Sequence, residues 1–518
     1  MKAHLVGGGI ASLTAAAYLI KDGGLLGGNI HIYESSSSLG GCLRGYGDAS
    51  HGYFIPVGRM FEENYRCTVE LLSFLPSVSD PSRSIWEEMQ EFHDRHGWYD
   101  KTRLLGDRAT VIDASDFGIS LADKLAMTRL LLTPEAMLEG KRIDAWFSPA
   151  FFTSNFWFMW VPVMGSLPQH SLLEFRRFMN RFMHLLPDFP TMTKIYRTLY
   201  HQQETIFEPL QAWLQQSGVQ FHPGTEVRNI DFVPSLDRIT AQGLIIEDEN
   251  GTREIAVKPD DIVLVTNGTQ IGDVAVGTMQ EAPKLNITNR SWQLWDRIAK
   301  GRPVLGNPRT FFGKAEDSLW AIFTVTATDS TFFDRFAALT GNPTGRQGLV
   351  TLTASNWLLT LVTFHQPHFI NQPAGVQIWW GFGVTPHAPG NFVKKPMTEC
   401  SGAEIMDEVL QHLNFSDAAE QIKQGSICIP SLAPEVNAIW AVRSRQDRPQ
   451  TVPEGSTNLG FIGQFCEVAD DVVFTMEYSV RSAREAVCKL LKLDRKPPPP
   501  YQGLHDPNAL YNALKVMT

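Results

Sequence analysis

Residues 4–20, His4-Leu5-Val6-Gly7-Gly8-Gly9-Ile10-Ala11-Ser12-Leu13-Thr14-Ala15-Ala16-Ala17-Tyr18-Leu19-Ile20, run from an apolar segment through three glycines into an alanine-rich helical pattern. That order spells strand, tight turn, helix. Gly7 permits a turn that a side chain would block, Gly9 lets the backbone approach a pyrophosphate, and Ser12 is a small residue where helix and strand touch. Phosphates would sit on the free N–H groups at the helix start, around Ile10 and Ala11. A second apolar strand, Ile30 to Tyr33, ends on Glu34, twenty-two residues beyond Ser12. A carboxylate there accepts hydrogen bonds from both hydroxyls of an adenosine ribose, which favours FAD or NAD over NADP. A glycine-rich turn alone is weak, since such turns also end helices and hairpins. Here the strand, helix, second strand and terminal acid all fall in place.

The 518 residues suffice for two or three domains, and 43% hydrophobic with 19% charged residues is ordinary for a soluble globular chain. A net charge of −10 argues against nucleic acid as a partner. The six cysteines contain no C-x-x-C pair, so neither a metal site nor a disulfide framework is expected. The chain passes from Met1 straight into the first strand and holds no apolar run of transmembrane length. A cytoplasmic protein is expected.

Further along, Gly40-Gly41 can fold back over a pyrophosphate, and Gly52 to Phe61 is an extended apolar stretch turning at Gly58 into a helix expected over residues 62–75, with Tyr65, Val69 and Leu72 on its buried face. Residues 80–150 read as loops and short helices that begin an insertion. An aromatic cluster follows, from Phe147 through Trp160 to Phe175, Phe178 and Phe182, whose density suits a core or an apolar tunnel equally. The nucleotide-binding part resumes with a strand from Gln220 to Val227, where Val227 would contact the adenine, then a buried strand from Asp260 ending in Thr266-Asn267-Gly268. A last strand from Asn458 reaches Gly463, whose N–H would face the cofactor; Glu467, just beyond, is counted with the same site.

The expected fold is therefore α/β, a Rossmann-like FAD domain of the two-dinucleotide-binding-domain flavoprotein kind with an inserted substrate domain and a mostly helical C-terminal part. Residues 1–80, 215–275 and 455–493 would form the FAD domain, 81–214 and 276–454 the substrate domain, and 494–518 a tail that docks on the body or touches a membrane surface.

The chain resembles the oleate hydratase family, once called myosin-cross-reactive antigens. The matching pieces are Gly7 to Leu13, Gly58-Arg59, Thr153 to Trp157 with Met159-Trp160, Pro168 to Ser171 leading to Glu174-Phe175-Arg176-Arg177, Gly390 to Met397, Asp447-Arg448-Pro449, and Asp470 to Thr475 with Glu477 to Val480. The resemblance implies addition of water across a cis double bond of a long-chain unsaturated fatty acid, with FAD shaping the site rather than passing electrons. It places Gly58, Arg59 and Met60 beside the flavin and Gln202 near the reacting carbons. It also implies a glutamate after the glycine-arginine pair that orients water, and a tyrosine after the paired arginines that protonates the alkene.

This chain has Met60 and Phe178 at those two positions. Methionine cannot hold water as a base and phenylalanine has no proton to give. Three readings stay open. A divergent hydratase could use other groups, such as Gln202 for the water and Tyr200, Tyr53, Glu62 or reduced flavin for the proton. The protein could instead catalyse another reaction, such as double-bond isomerisation, or bind lipid without catalysis. A flavin oxidase of the amine-oxidase type shares the opening fingerprint. The fatty carboxylate could meet Arg59, Lys394, Lys395 or Arg448. The family's N-terminal extension, which contributes to dimer contacts, has no counterpart before Met1, so a monomer is expected, with a homodimer as the alternative.

Overall fold

The computed structural model describes every residue except 236 and 518, so the last residue of the tail lies outside it. Strand β1 (Ala3–Val6) leads into helix α1 (Ile10–Lys21) and strand β2 (Ile30–Glu34). Three later strands, β3 (Gln220–Pro223), β4 (Ile262–Thr266) and β5 (Leu459–Ile462), complete one fully parallel sheet in the order β5-β4-β1-β2-β3. The order reverses between β1 and β4, and in open parallel sheets ligands bind in the crevice at such a point. Leu5, Ile32 and Val263 to Val265 are buried, as a sheet covered on both faces requires. Helices α1 and α5 (Met476–Leu490) pack together on one face.

An eight-stranded, mostly antiparallel sheet forms a second layer. Its central strands are Ser426–Ala433, Trp320–Ala327, Gln377–Gly383 and Leu359–Thr363. Two short strands from the 80–150 region, Leu104–Leu105 and Val111–Ile112, extend its far edge. That region also holds two helices, Ile85–His96 and Leu121–Leu132, each begun by a serine cap.

The sheet anchors the stretch that crosses from the nucleotide layer. Tyr53 N donates to Thr326 Oγ1 at 2.9 Å and Ile55 N to Thr324 Oγ1 at 3.0 Å, while Trp380 Nε1 donates to the Ile55 carbonyl at 3.0 Å. These bonds deliver Gly58-Arg59-Met60 to the boundary between the layers. On the far side Phe61 and Tyr196 exchange backbone bonds of 3.0 and 2.8 Å. Helix α2 then spans Arg66–Phe74, starting four residues later than the sequence predicts, because Glu62 folds back to accept from Asn64 N at 2.8 Å and residues 62–65 form a turn.

Helices α3 (Asn155–Met164) and α4 (Leu172–Arg181) carry the aromatic cluster. Most of it is core: Trp160 packs on Phe156 and Phe175 with ring centroids 5.4 and 5.0 Å apart. The tail helix Pro507–Met517 packs on residues 183–188 and buries Ala509 and Ala513. Among the described residues no helix is long and apolar enough to cross a membrane.

Candidate active site

A cavity of about 520 Å³ opens at the switch point of the parallel sheet. Gly7, Gly9, Ile10, Ala11, Glu34, Gly41, Arg59, Val227, Thr266, Asn267, Gly268 and Gly463 all line it. Gly7 has φ +98°, and a Cβ there would stand 3.1 Å from that of Thr266, so the turn is glycine's. A Cβ at Gly9 would meet nothing within 4 Å, so the space above it belongs to the cavity. No side chain caps the start of α1 and its first turn holds no acid, which leaves its N–H groups open to an anion. Gly40 N donates to Gly8 O at 3.1 Å and folds the paired-glycine segment back over this loop.

The Glu34 carboxylate accepts from Gly8 N at 2.7 Å and Ser36 N at 2.8 Å, which fixes its orientation at the cavity wall. Arg44, Arg59, Arg228, Arg290 and Arg297 also line the cavity. Arg228 and Arg290 pair with Glu226. Asn267 is buried with both side-chain heteroatoms lacking a protein partner, an arrangement that calls for a bound polar group. The residues present fit a dinucleotide with free ribose hydroxyls.

Two smaller cavities, of about 60 and 70 Å³, adjoin this one, and Arg59 lines all three. Gly58 and Met60 line the two smaller ones but not the large one, so the turn divides apolar space from the dinucleotide site. The 60 Å³ cavity is walled by Met164, Phe178, Phe182, Phe189 and Phe474 together with Glu62 and Tyr65. Phe178, 1% exposed, packs on Trp440 with centroids 4.5 Å apart. The 70 Å³ cavity holds Gln202, His201, His368 and Arg197 beside Trp380. Gln202 Nε2 donates to the Val57 carbonyl at 2.9 Å, so this residue braces the extended segment that leads into Gly58.

Burial alone lowers the His201 imidazole to about 3, and burial is also the chief cause that lowers His368. Both rings are neutral at physiological pH. Burial lowers Arg197 to about 9 against a partial offset from Asp100, and its Nη2 donates to the His96 and Gly345 carbonyls.

Several expectations need correction. Ser12 sits beneath the cavity, its hydroxyl 3.2 Å from Thr266 Oγ1, at the helix–strand contact. Glu467 is absent from the wall of the large cavity, because Arg177 and Arg443 draw its carboxylate inward with bonds of 2.7 and 3.0 Å. Tyr200 lines neither small cavity although Leu199 and His201 line one; its carbonyl closes a tight turn by accepting from Thr198 Oγ1 at 2.6 Å. Gly463 reaches the large cavity, but its N–H is used by Ser482 Oγ at 2.9 Å. Tyr53 points its hydroxyl at Asn371, 3.2 Å away. Arg448 is buried against Glu174, while Lys395 pairs with Glu404 and Lys394 is exposed and bonds Asn391.

Sequence reasoning missed Tyr65 and Phe474 as cavity residues. Tyr65 has the spacing of a core face, which does not tell a packed ring from one facing a void. Phe474, at φ +71°, lies in a conformation that no residue pattern announces.

The fold is Rossmann-like, with an open crevice at its switch point that adjoins two smaller cavities. The chain belongs to the MCRA family, whose model matches residues 1–488. It is 30% identical to an oleate hydratase of Streptococcus pyogenes serotype M49 (strain NZ131), covering 99% of this chain and 89% of that protein. It is also 30% identical to a linoleate hydratase of Lactiplantibacillus plantarum, covering 100% of this chain and 98% of that one. Among solved structures, a putrescine oxidase double mutant aligns with TM-score 0.56 at 12% identity over 95% of this chain and 99% of its own. The PF1083 protein from Pyrococcus furiosus aligns with TM-score 0.52 at 10% identity over 96% and 98%. At such identities the solved structures show the fold alone.

Proposed function

We propose that the protein binds FAD and adds water across a cis double bond of a long-chain unsaturated fatty acid, giving a hydroxy fatty acid with no net electron transfer. The observation that carries this reading is the meeting of three cavities at Arg59. A dinucleotide site with uncapped helix N–H groups adjoins two apolar compartments of a size for the reacting segment of an alkyl chain. Full-length similarity to two fatty acid hydratases supports the substrate class.

Within this reading, Gly7 to Ala11 and Glu34 hold the pyrophosphate and ribose. Arg59 stands between cofactor and substrate, and Gln202 keeps the Gly58–Met60 turn in place through Val57. The flavin, when bound, completes the pocket and supplies electrostatics at its edge. The aromatic and methionine walls exclude bulk water, so charge developing on the alkene meets a preorganised environment.

The experiment is incubation of the FAD-loaded, reduced protein with oleate and with linoleate, followed by mass analysis of the extracted lipid. The expected product is heavier by one water, with the flavin still reduced under anaerobic conditions. Recovery of only unchanged or isomerised acid contradicts the proposal.

A further inference from the structure

On the hydration reading above, the alkene needs a proton donor, and Phe178 offers none. Four ionisable side chains line the 60 Å³ cavity: Arg59, Glu62, Tyr65 and Asp188. Three of them are unsuited to giving a proton. A guanidinium keeps its protons throughout the physiological range. The Asp188 carboxylate is taken up by Thr193 N at 2.9 Å and Lys194 N at 2.8 Å. Burial works to raise the Glu62 pKa, but Arg181 and His184 outweigh it and leave the carboxyl ionised below its ordinary range. Arg181 Nη1 donates to Glu62 Oε1 at 2.8 Å, and His184 Nε2 lies 3.2 Å from Oε2.

Tyr65 is the remaining group. Burial first, and then the Glu62 charge, push its phenol well above the ordinary value, so it carries its proton at neutral pH. Among the described residues no hydrogen bond fixes its hydroxyl. Its ring lies 6.4 Å from Phe182, which lies 5.8 Å from Phe178, so the three rings form one continuous wall. The Arg181 guanidinium stands 5.4 Å over the Tyr65 ring, and Arg59 lines the same cavity.

We infer that Tyr65 is the proton-donating residue of this chain, supplying across the cavity the hydroxyl that Phe178 lacks, with Glu62 orienting the attacking water. The Tyr65 O–H bond breaks as a C–H bond forms on one alkene carbon. Water held against the Glu62 carboxylate forms the C–O bond on the other carbon, and its surplus proton passes to the Tyr65 phenolate. The sum is alkene plus water, and tyrosine is restored. Arg59 and Arg181 stand beside the phenolate as it develops and stabilise its charge.

The test compares wild type, Tyr65→Phe, and the double variant Tyr65→Phe with Phe178→Tyr, measuring hydration rate, oleate affinity and flavin absorbance in each. The expected single variant loses roughly 100-fold or more in rate, the usual span for a general acid, with oleate affinity and FAD content unchanged. The double variant, with a hydroxyl on the other part of the same wall, is expected to recover about tenfold, a part of the roughly 100-fold or more that one positioned acid supplies. A single variant at wild-type rate overturns the assignment. So does one that loses oleate binding along with its rate, or a double variant as slow as the single one. Wild-type protein that makes no hydroxy acid overturns the hydration reading itself, whereas an active wild type with an equally active Tyr65→Phe overturns only the role of Tyr65.

Discussion

Arg59 Nη1 donates to the backbone carbonyl of Phe474 at 3.0 Å, joining the Gly58–Met60 turn to the loop before α5 where the three cavities meet. Phe474 holds φ +71° and its N–H donates to Gln464 Oε1 at 2.6 Å, so both its backbone groups are fixed. A charge-assisted bond of this kind contributes about 1.5–3 kcal/mol. Arg59→Leu should lower the unfolding free energy of the apo protein by that order and loosen Phe474 over the small cavities. Denaturant unfolding without flavin checks the first effect, and oleate affinity checks the second.

Gly9→Val separates cofactor binding from folding. Gly9 has φ −90° and ψ 179°, extended backbone open to any residue, and a Cβ there meets nothing in the protein. The apo melting temperature should stay within a few degrees of wild type, whereas FAD affinity should fall at least about tenfold, about 1.4 kcal/mol, as the side chain fills the phosphate cradle. At Gly8 a Cβ would stand 2.9 Å from the Glu34 Cβ, so Gly8→Val should destabilise the apo protein as well. Flavin titration beside apo melting curves distinguishes the two.

Glu62 and Arg181 form a buried ion pair, their side chains 3% and 1% exposed. Glu62→Leu removes the carboxylate 2.8 Å from Arg181 and leaves the guanidinium to Asp471, 3.6 Å away, so it should cost less than the ~3–5 kcal/mol of a buried charge left with no partner. Glu62→Gln keeps one acceptor for Arg181 and should cost less while removing the charge that orients water. The predicted signature of Glu62→Gln is a folded, FAD-binding protein with a reduced hydration rate; a rate equal to wild type contradicts the placement of water at Glu62.

Acid should destabilise the fold in two stages. Burial is the leading cause that lowers His201 to about 3 and His170 and His365 to about 4, from an ordinary value near 6.5. The unfolded chain takes up these protons first, so the stability these rings contribute is complete above about pH 6.5 and is lost as pH falls toward 4 and 3. For Glu174, burial raises the pKa but Arg448, Arg443 and Arg177 outweigh it and hold the carboxyl at about 2, so its contribution is complete above about pH 4.5 and lost between there and 2. Denaturant midpoints measured from pH 7 to pH 4 should fall steadily; a flat profile contradicts neutral buried imidazoles.

The nucleotide layer was legible in the sequence because its signals are local. Gly7 needs its φ, the β4 run needs apolar residues on both faces, and Glu34 ends its strand where β2 meets the crevice. The eight-stranded sheet was not legible, because strands such as Trp320–Ala327 are buried along their whole length and lose the alternation that marks a half-exposed strand. Glu467 was misplaced because its partners, Arg177 and Arg443, lie 290 and 24 residues away in sequence. Tyr65 was hidden for a different reason: its spacing is that of a core residue, and only the packing of Phe178 and Phe182 beside it leaves a cavity that it lines.

The most direct test of water addition at the Arg59 junction is the isotope content of the product when the reduced, FAD-loaded protein acts on oleate in water enriched in heavy oxygen. The account predicts a hydroxy fatty acid carrying one heavy oxygen on the former double bond, with no net oxidation of the flavin. Oleate returned without label, or a product formed only as the flavin changes redox state, would contradict it.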